Sequence, residues 1–195
     1  MDPIVETLGP AHRAELAAHY LALASADRRL RFGVSLPDAR IGAYVRGLDF
    51  ARDIVFAVRD GEGALAGVTH LALWPGAGEL GLSVRADQRG RGIAGAMFAQ
   101  ALVFARNRGV VELFMHCLTE NAAMMHIARR AGMTIHGEGS ESDAWLELPP
   151  ADPASIGREL CDTQRALLAH AVRETLRCLA VVRAGRAPAT PAGSA

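Results

Sequence analysis

The spacing of apolar residues changes period several times along the chain, and each change marks an element. "PIVETL" (3–8) predicts a short opening strand. Residues 11–24 carry Leu16, Tyr20, Leu21 and Leu23 at helical spacing, behind a Pro10 suited to a helix start. "SADRRLRF" (25–32) reads as a turn with a short helix. Residues 36–48 read as a second helix with Pro37 and Asp38 in its first turn. The period then shortens. Residues 53–60, 64–74 and 79–84 predict three strands of a meander, turned by "GEG" (61–63) and "PGAG" (75–78). Helical spacing returns over 93–107. "VVELFMHCL" (110–118) has the continuous apolar run of a buried strand, and 120–132 is a helix that Gly132 is placed to end. "MTIHG" and "DAWLEL" are the last two strands. This order predicts an α+β (mixed α/β) fold: a largely antiparallel sheet flanked by helices.

"PPADPAS" (149–155) marks a boundary, which sets a domain at 1–150. Beyond it, residues 151–183 hold an appended amphipathic helix, read over 156–183. Leu168, Val172, Leu176 and Leu179 recur along it, with Arg165, Arg173, Glu174 and Arg177 between them. Residues 184–195 have the composition of a disordered tail. Such a helix has two ways to cover its stripe. It packs back on its own domain, or it pairs with a second copy in a homodimer, and the sequence leaves both open.

Composition narrows the function. The chain has 195 residues, half of them hydrophobic, enough for one core. The formal net charge is zero, so bulk electrostatics make no case for nucleic acid or an anionic membrane. All 21 cationic side chains are arginine, so the protein cannot modify itself on a lysine side chain. Cys117, Cys161 and Cys178 are few and lack metal-ligand spacing, which fits a reducing cytoplasm and no metal. The start "MDPIVETLGP" lacks the basic and apolar regions of a signal peptide, and no apolar stretch is long enough to cross a bilayer.

One stretch demands chemistry: "SVRADQRGRGIAGAMFAQAL" (83–102), with three arginines and three glycines between a strand and a helix. A helix start has free N–H groups and the positive end of the dipole, and glycines let a backbone approach a ligand. The combination predicts an anion site for a phosphate or pyrophosphate, with Arg89 and Arg91 as charged donors. A P-loop fails for want of Gly-Lys-Ser/Thr. "GRGIAG" (90–95) matches a dinucleotide loop, but "RADQR" separates it from the strand and Glu112 lies too early in the next one. An RGG-type nucleic-acid element lacks repeats and aromatic residues. A plain surface turn does not explain three glycines where a helix must begin.

"QRGRGIA" (88–94) resembles the acyl-CoA pyrophosphate signature of the GNAT N-acetyltransferase superfamily, Arg/Gln-x-x-Gly-x-Gly/Ala, through Arg89, Gly92 and Ala94. The likeness extends over 79–133 and, in element order, over the first 150 residues or so. "ADRRLRF" (26–32), "LDFARDIVFAV" (48–58) and "LTENAAMMHIARRAGM" (118–133) further resemble the acetyltransferase domain of bacterial protein-lysine acetyltransferases. The resemblance implies acetyl-CoA as donor. Its pyrophosphate would lie on the backbone of Arg89, Gly90, Arg91, Gly92, Ile93 and Ala94. Its pantetheine arm would run along the strand edge at Leu82, Ser83 and Val84 and bond Asn121. Strands 79–84 and 111–118 would splay into a V, with a bulge after Val84 at "RAD".

The resemblance also implies Glu79 as the general base, directly or through water, since a free amine is mostly protonated at neutral pH. By alternation Glu79, Gly81 and Ser83 share one strand face. The tyrosine that often protonates the leaving thiolate is replaced by Ala128. His70, His116 and His126 read as partly buried structural residues, and Cys117, Met124 and Met125 as core. Arg28, Arg29, Arg31, Arg40, Glu138, Glu141 and Asp143 lie in segments that build the family's acceptor pocket. The expected function is direct transfer of an acetyl group to a primary amine in a ternary complex, the acceptor being a protein lysine or a small molecule. The rivals are a non-catalytic acyl-CoA sensor and an NAD-binding oxidoreductase.

Overall fold

The computed structural model describes residues 3–185. β1 (Val5–Leu8) leads through one 3₁₀ turn into three helices, α1 (Arg13–Leu21), α2 (Ser25–Phe32) and α3 (Asp38–Gly47). The meander β2 (Ile54–Arg59), β3 (Leu65–Trp74) and β4 (Ala77–Val84) follows, then α4 (Ile93–Asn107), β5 (Glu112–Leu118), α5 (Ala122–Arg130), β6 (Thr134–Glu138), β7 (Glu141–Glu147) and α6 (Pro153–Gly185). The strands form one seven-stranded sheet in the order β1-β2-β3-β4-β5-β7-β6. Every neighbouring pair is antiparallel except β4 and β5, which are parallel. The mixed, largely antiparallel sheet flanked by helices is the one the sequence predicts. α2 is a full helix rather than a turn with a fragment, and Gly33 (φ +76°) ends it in the left-handed conformation.

Helices cover both sheet faces, which is why β2 reads as an unbroken apolar run rather than an alternating one. On one face Leu16, Tyr20, Ile41 and Val45 of α1 and α3 pack on Val55, Ala57 and Val68. On the other, Phe98, Ala101 and Ala105 of α4 and Met124, Met125 and Ala128 of α5 pack on Phe56, Leu71, Leu80, Leu113 and Met115. Gly67 lets the first turn of α4 sit close to the sheet. A Cβ there would lie 2.8 Å from Ile93 Cγ2 and from Met97 Cε.

α6 returns over α4 and β1, but by its polar side. Asn107 Nδ2 donates to Ser155 O (3.1 Å) and to Glu159 Oε2 (2.7 Å), and Arg106 pairs with Asp152 at 2.6 Å. Arg173 pairs with Glu6. Leu160, Leu167, Leu168, Val172, Leu176 and Leu179 are all exposed. The helix thus packs back on its domain without burying the stripe that predicted packing. The helix runs two residues into the stretch read as a tail, and the rest of that stretch, 186–195, lies outside the described residues. No described helix is long and apolar enough to cross a membrane.

Candidate functional site

The only parallel strand pair among the described residues opens into a fork. β4 and β5 register through Ala77–Glu112, Gly78–Leu113 and Glu79–Phe114, and then part. The rest of β4 stays on β3, from Leu80 opposite Leu71 to Val84 opposite Gly67, with no bulge. β5 stays on β7. The expected bulge at "RAD" is replaced by a 3₁₀ turn over Ala86–Gln88. The splay needs no bulge, because each strand is held by its antiparallel partner on the outer side. Arg85 N–H donates to Ala66 O at 2.9 Å, so Ser83 and Gly81 direct their backbone groups toward β3. By alternation Leu80, Leu82 and Val84 direct theirs into the open fork.

The arginine-glycine stretch closes the far end of β4. Gly90 and Gly92 both have φ +75°, and a Cβ on either would meet nothing within 4 Å. Conformation, not space, calls for glycine there. Gly92 caps α4, whose first recorded bond runs from Ala96 N–H to Gly92 O at 3.0 Å. The N–H groups of Ile93, Ala94 and Gly95 are therefore the free donors of the first turn. Gly95 is needed for neither angle nor internal space. A cavity of about 1290 Å³ runs from this loop along Leu82–Val84 to Asn121 and Met124, and Arg158, Asp162 and Arg165 of α6 reach its rim. Its length, the edge strand and the helix start fit an elongated ligand with an anionic head and an amide-bearing arm.

α2 spans the fork as a roof. Asp27 pairs with Arg89 at 2.7 Å, Arg29 pairs with Glu120, and Leu30 O accepts Asn121 Nδ2 at 3.3 Å. Arg89 also donates through Nε to Val84 O at 3.3 Å. Arg91 is exposed beside the cavity. Asn121 is buried, and its Oδ1 accepts Met124 N–H at 3.2 Å, which caps α5. Both ends of its amide are thus engaged within the protein, although it lines the cavity.

Glu79 stands exposed at the last β4–β5 pair, where the strands part. Two steps along the same face, Gly81 carries the guanidinium of Arg31. A Cβ at Gly81 would lie 2.5 Å from Arg31 Cζ. Two steps further, Ser83, which lines the cavity, donates its hydroxyl to Nε2 of buried His19 at 2.9 Å, while His19 Nδ1–H donates to Leu65 O at 3.1 Å. Burial pushes His19 down to about 4, helped by the charges of Arg85 and Arg31, so its ring is neutral at pH 7.

Behind Arg31 lies a chain that the sequence reading did not assemble. Arg31 donates to Tyr44 Oη at 3.0 Å, and Tyr44 lies 2.8 Å from His70 Nδ1. His70 Nε2 lies 3.3 Å from Asp53 Oδ2, outside hydrogen-bond geometry. Burial, then the charge of Arg31, pushes His70 below its ordinary value. Burial opposes ionisation of Asp53, but Arg52 and His70 outweigh it and hold the carboxyl below the usual range. Neutral His70 with its proton toward Asp53 accepts from Tyr44 O–H.

The other residues singled out from the sequence scatter. His116 pairs with Asp143 at 2.6 Å on the exposed side of β5 and β7, a contact its strand position gave no sign of. His126 is exposed at the cavity. Cys117, Met124 and Met125 are core, and burial raises the Cys117 thiol. Arg28 braces carbonyls of Leu21, Leu23 and Leu36, so it is structural. Arg40 and Glu141 are exposed. Ala128 is fully buried and offers no proton donor to the cavity.

Residues 7–134 match the family model described as acetyltransferase (GNAT) domain. No curated protein matches the chain in sequence. Among solved structures, the GNAT domain of PAT from S. lividans superposes with a TM-score of 0.63 at 19% identity, over 74% of this chain and 89% of that one. YncA from Salmonella typhimurium, solved with its cofactor acetyl-CoA, gives 0.59 at 13%, over 78% and 97%. Spermidine N-acetyltransferase from Vibrio cholerae, in complex with CoA and spermine, gives 0.58 at 15%, over 73% and 94%. These likenesses concern the fold.

Proposed function

Since the chain belongs to the GNAT acetyltransferase family, we propose that it transfers an acetyl group from acetyl-CoA to a primary amine directly, in a ternary complex. The observation that carries this is the fork between β4 and β5 with the start of α4 at its far end. The donor supplies an acyl group already activated as a thioester. The free N–H groups of Ile93, Ala94 and Gly95, with Arg89 and Arg91, hold its pyrophosphate. The backbone of Leu82 and Val84 pairs with the amides of its arm like an added strand. Glu79 takes the proton of the amine through water, at the point where the fork narrows. Asn121 acts by fixing α5 and the roof helix as well as by lining the arm's path. A second reading, a non-catalytic acyl-CoA sensor, rests on buried Ala128 at the position where the family often has its acid.

The acceptor is a protein lysine or a small amine, and the likeness of 26–32, 48–58 and 118–133 to protein-lysine acetyltransferases favours the first. The test adds acetyl-labelled acetyl-CoA and the purified protein to a cell lysate, with Glu79→Gln as control. Label at protein lysines above control supports a protein acetyltransferase. Label in small molecules assigns a metabolite acetyltransferase. Binding without transfer supports the sensor, and transfer unchanged in Glu79→Gln removes the base assignment. For the exposed stripe of α6 we propose a second copy of the chain, since a 33-residue helix about 50 Å long offers it a continuous self-complementary face. Sedimentation of wild type against Leu168→Glu tests this, with a dimer that dissociates in the variant as the expected result.

A further inference from the structure

Among the charged side chains that line the cavity, Arg31 is one with a buried guanidinium that acyl transfer as described does not use. It lies on the cavity wall, flat against bare Gly81, next to Glu79 along the strand. The Tyr44 hydroxyl is its hydrogen-bond partner. Its Nε is buried without any partner. The rings of Phe32, Tyr44 and Tyr20 surround the guanidinium at 4.8, 5.8 and 5.9 Å. No carboxylate among the described residues is recorded within ion-pair distance of it; Glu79 acts on it only at longer range.

A guanidinium cannot shed its proton, and taking it from water without a carboxylate is costly. Aromatic faces offset part of that cost. They do not satisfy an N–H that points at nothing. The Tyr44–His70–Asp53 chain fixes the plane of the group without supplying an anion at its open side. Nor does the pyrophosphate loop: Arg31 sits at Gly81, within β4, while Arg89 to Ala94 lie beyond the end of that strand at Val84. A planar, rigidly held guanidinium with free donors matches a carboxylate.

We propose that Arg31 is a carboxylate-recognition residue at the transfer point, so that one reactant, the acyl group or the amine acceptor, carries a carboxylate. The inference rests on the acyl-transfer reading above. Tyr44 and His70 are positioning residues that act through Arg31. Two arms separate the sources. In the first, the affinity of the protein for acetyl-, butyryl- and succinyl-CoA is measured by titration calorimetry; butyryl-CoA controls for chain length. In the second, the CoA-saturated protein is given lysine, lysine amide and cadaverine, and binding is read by thermal shift beside release of CoA thiol from acetyl-CoA.

The expected result is a preference of roughly 10-fold or more for the carboxylate-bearing ligand in one arm. Arg31→Met should abolish it while leaving CoA affinity intact, and Arg31→Lys should keep part of it. Tyr44→Phe should weaken the preference with no change in CoA affinity. The proposal is overturned if neither arm discriminates, or if the preference survives in Arg31→Met. It is also overturned if Arg31→Met slows all reactants equally, which would make Arg31 a stabiliser of the thioester oxygen. Loss of CoA binding in the wild type is a different failure, which removes the acyl-transfer reading itself.

Discussion

Lowering the pH should cost stability through His19, which ties α1 to β4, beginning above the range where ordinary surface carboxylates titrate. His19 accepts from Ser83, donates to Leu65 O and is 3% exposed, so protonation reverses the bond to Ser83 and leaves a charge in an apolar seam. The folded ring protonates at about 4 against an ordinary 6.5. Between those values the unfolded chain binds a proton that the folded one refuses, so stability is full above pH 6.5 and falls as pH drops toward 4. The gap is worth about 3 kcal/mol, at roughly 1.4 kcal/mol per pH unit. His70, also held below its ordinary value by burial, adds loss of the same sign. Urea unfolding of wild type and His19→Gln at several pH values between 7.5 and 4 isolates the His19 part. Glutamine can keep a donor toward Leu65 O and an acceptor toward Ser83 without titrating. The two curves should converge as pH falls. Parallel curves, or a ring of His19 that titrates near 6.5 by NMR, would refute the reasoning.

Gly67→Ala should cost about 1–3 kcal/mol by urea melt, because the added Cβ meets Ile93, Met97 and, at 3.3 Å, the carbonyl of Ser83. It should weaken CoA binding as well, since Ile93 opens α4; an unchanged calorimetric Kd would show that the seam adapts. Gly92→Ala forces a side chain into the left-handed region at φ +75°. A stability loss of roughly 1–2 kcal/mol and weaker CoA binding are expected, from melts and calorimetry on the same samples. Asn121→Ala removes the cap of α5 and the bond to Leu30 O, for about 1 kcal/mol. Hydrogen exchange should then quicken at the Met124 amide and in α2, and unaltered protection there would mean that the roof is held by its ion pairs alone.

The sheet was legible because its strands carry their own signals, alternating or continuously apolar, between turns rich in glycine. The glycine-bearing loop that starts α4 was legible because its residues are consecutive. The Arg31–Tyr44–His70–Asp53 chain was not, since its members lie on α2, α3, β3 and the loop before β2 and meet only through strand register: His70 stands opposite Gly81. The polar face of β3 at His70 was the one sign available. α2 was underread because its arginines look solvated in sequence, whereas Arg28, Arg29 and Arg31 each have a fixed partner. The stripe of α6 was legible, but not what it faces. Amphipathic spacing shows that an apolar face exists, not which way it points, and polar anchors at Asn107 and Arg106 turn it outward.

The pairing of Arg89 with Asp27 bears on how a donor enters. Arg89 does not wait as a bare cation; it already holds a carboxylate from the roof helix. Under the proposed function, a phosphate arriving at Arg89 would trade places with Asp27 rather than fill a vacancy. The gain from that contact is the difference between two anions on one guanidinium, smaller than a count of charges suggests. Because that carboxylate rides on the same helix as Arg31, ion exchange at Arg89 would, under the proposed function, reach the residue that faces Gly81 through a single rigid element.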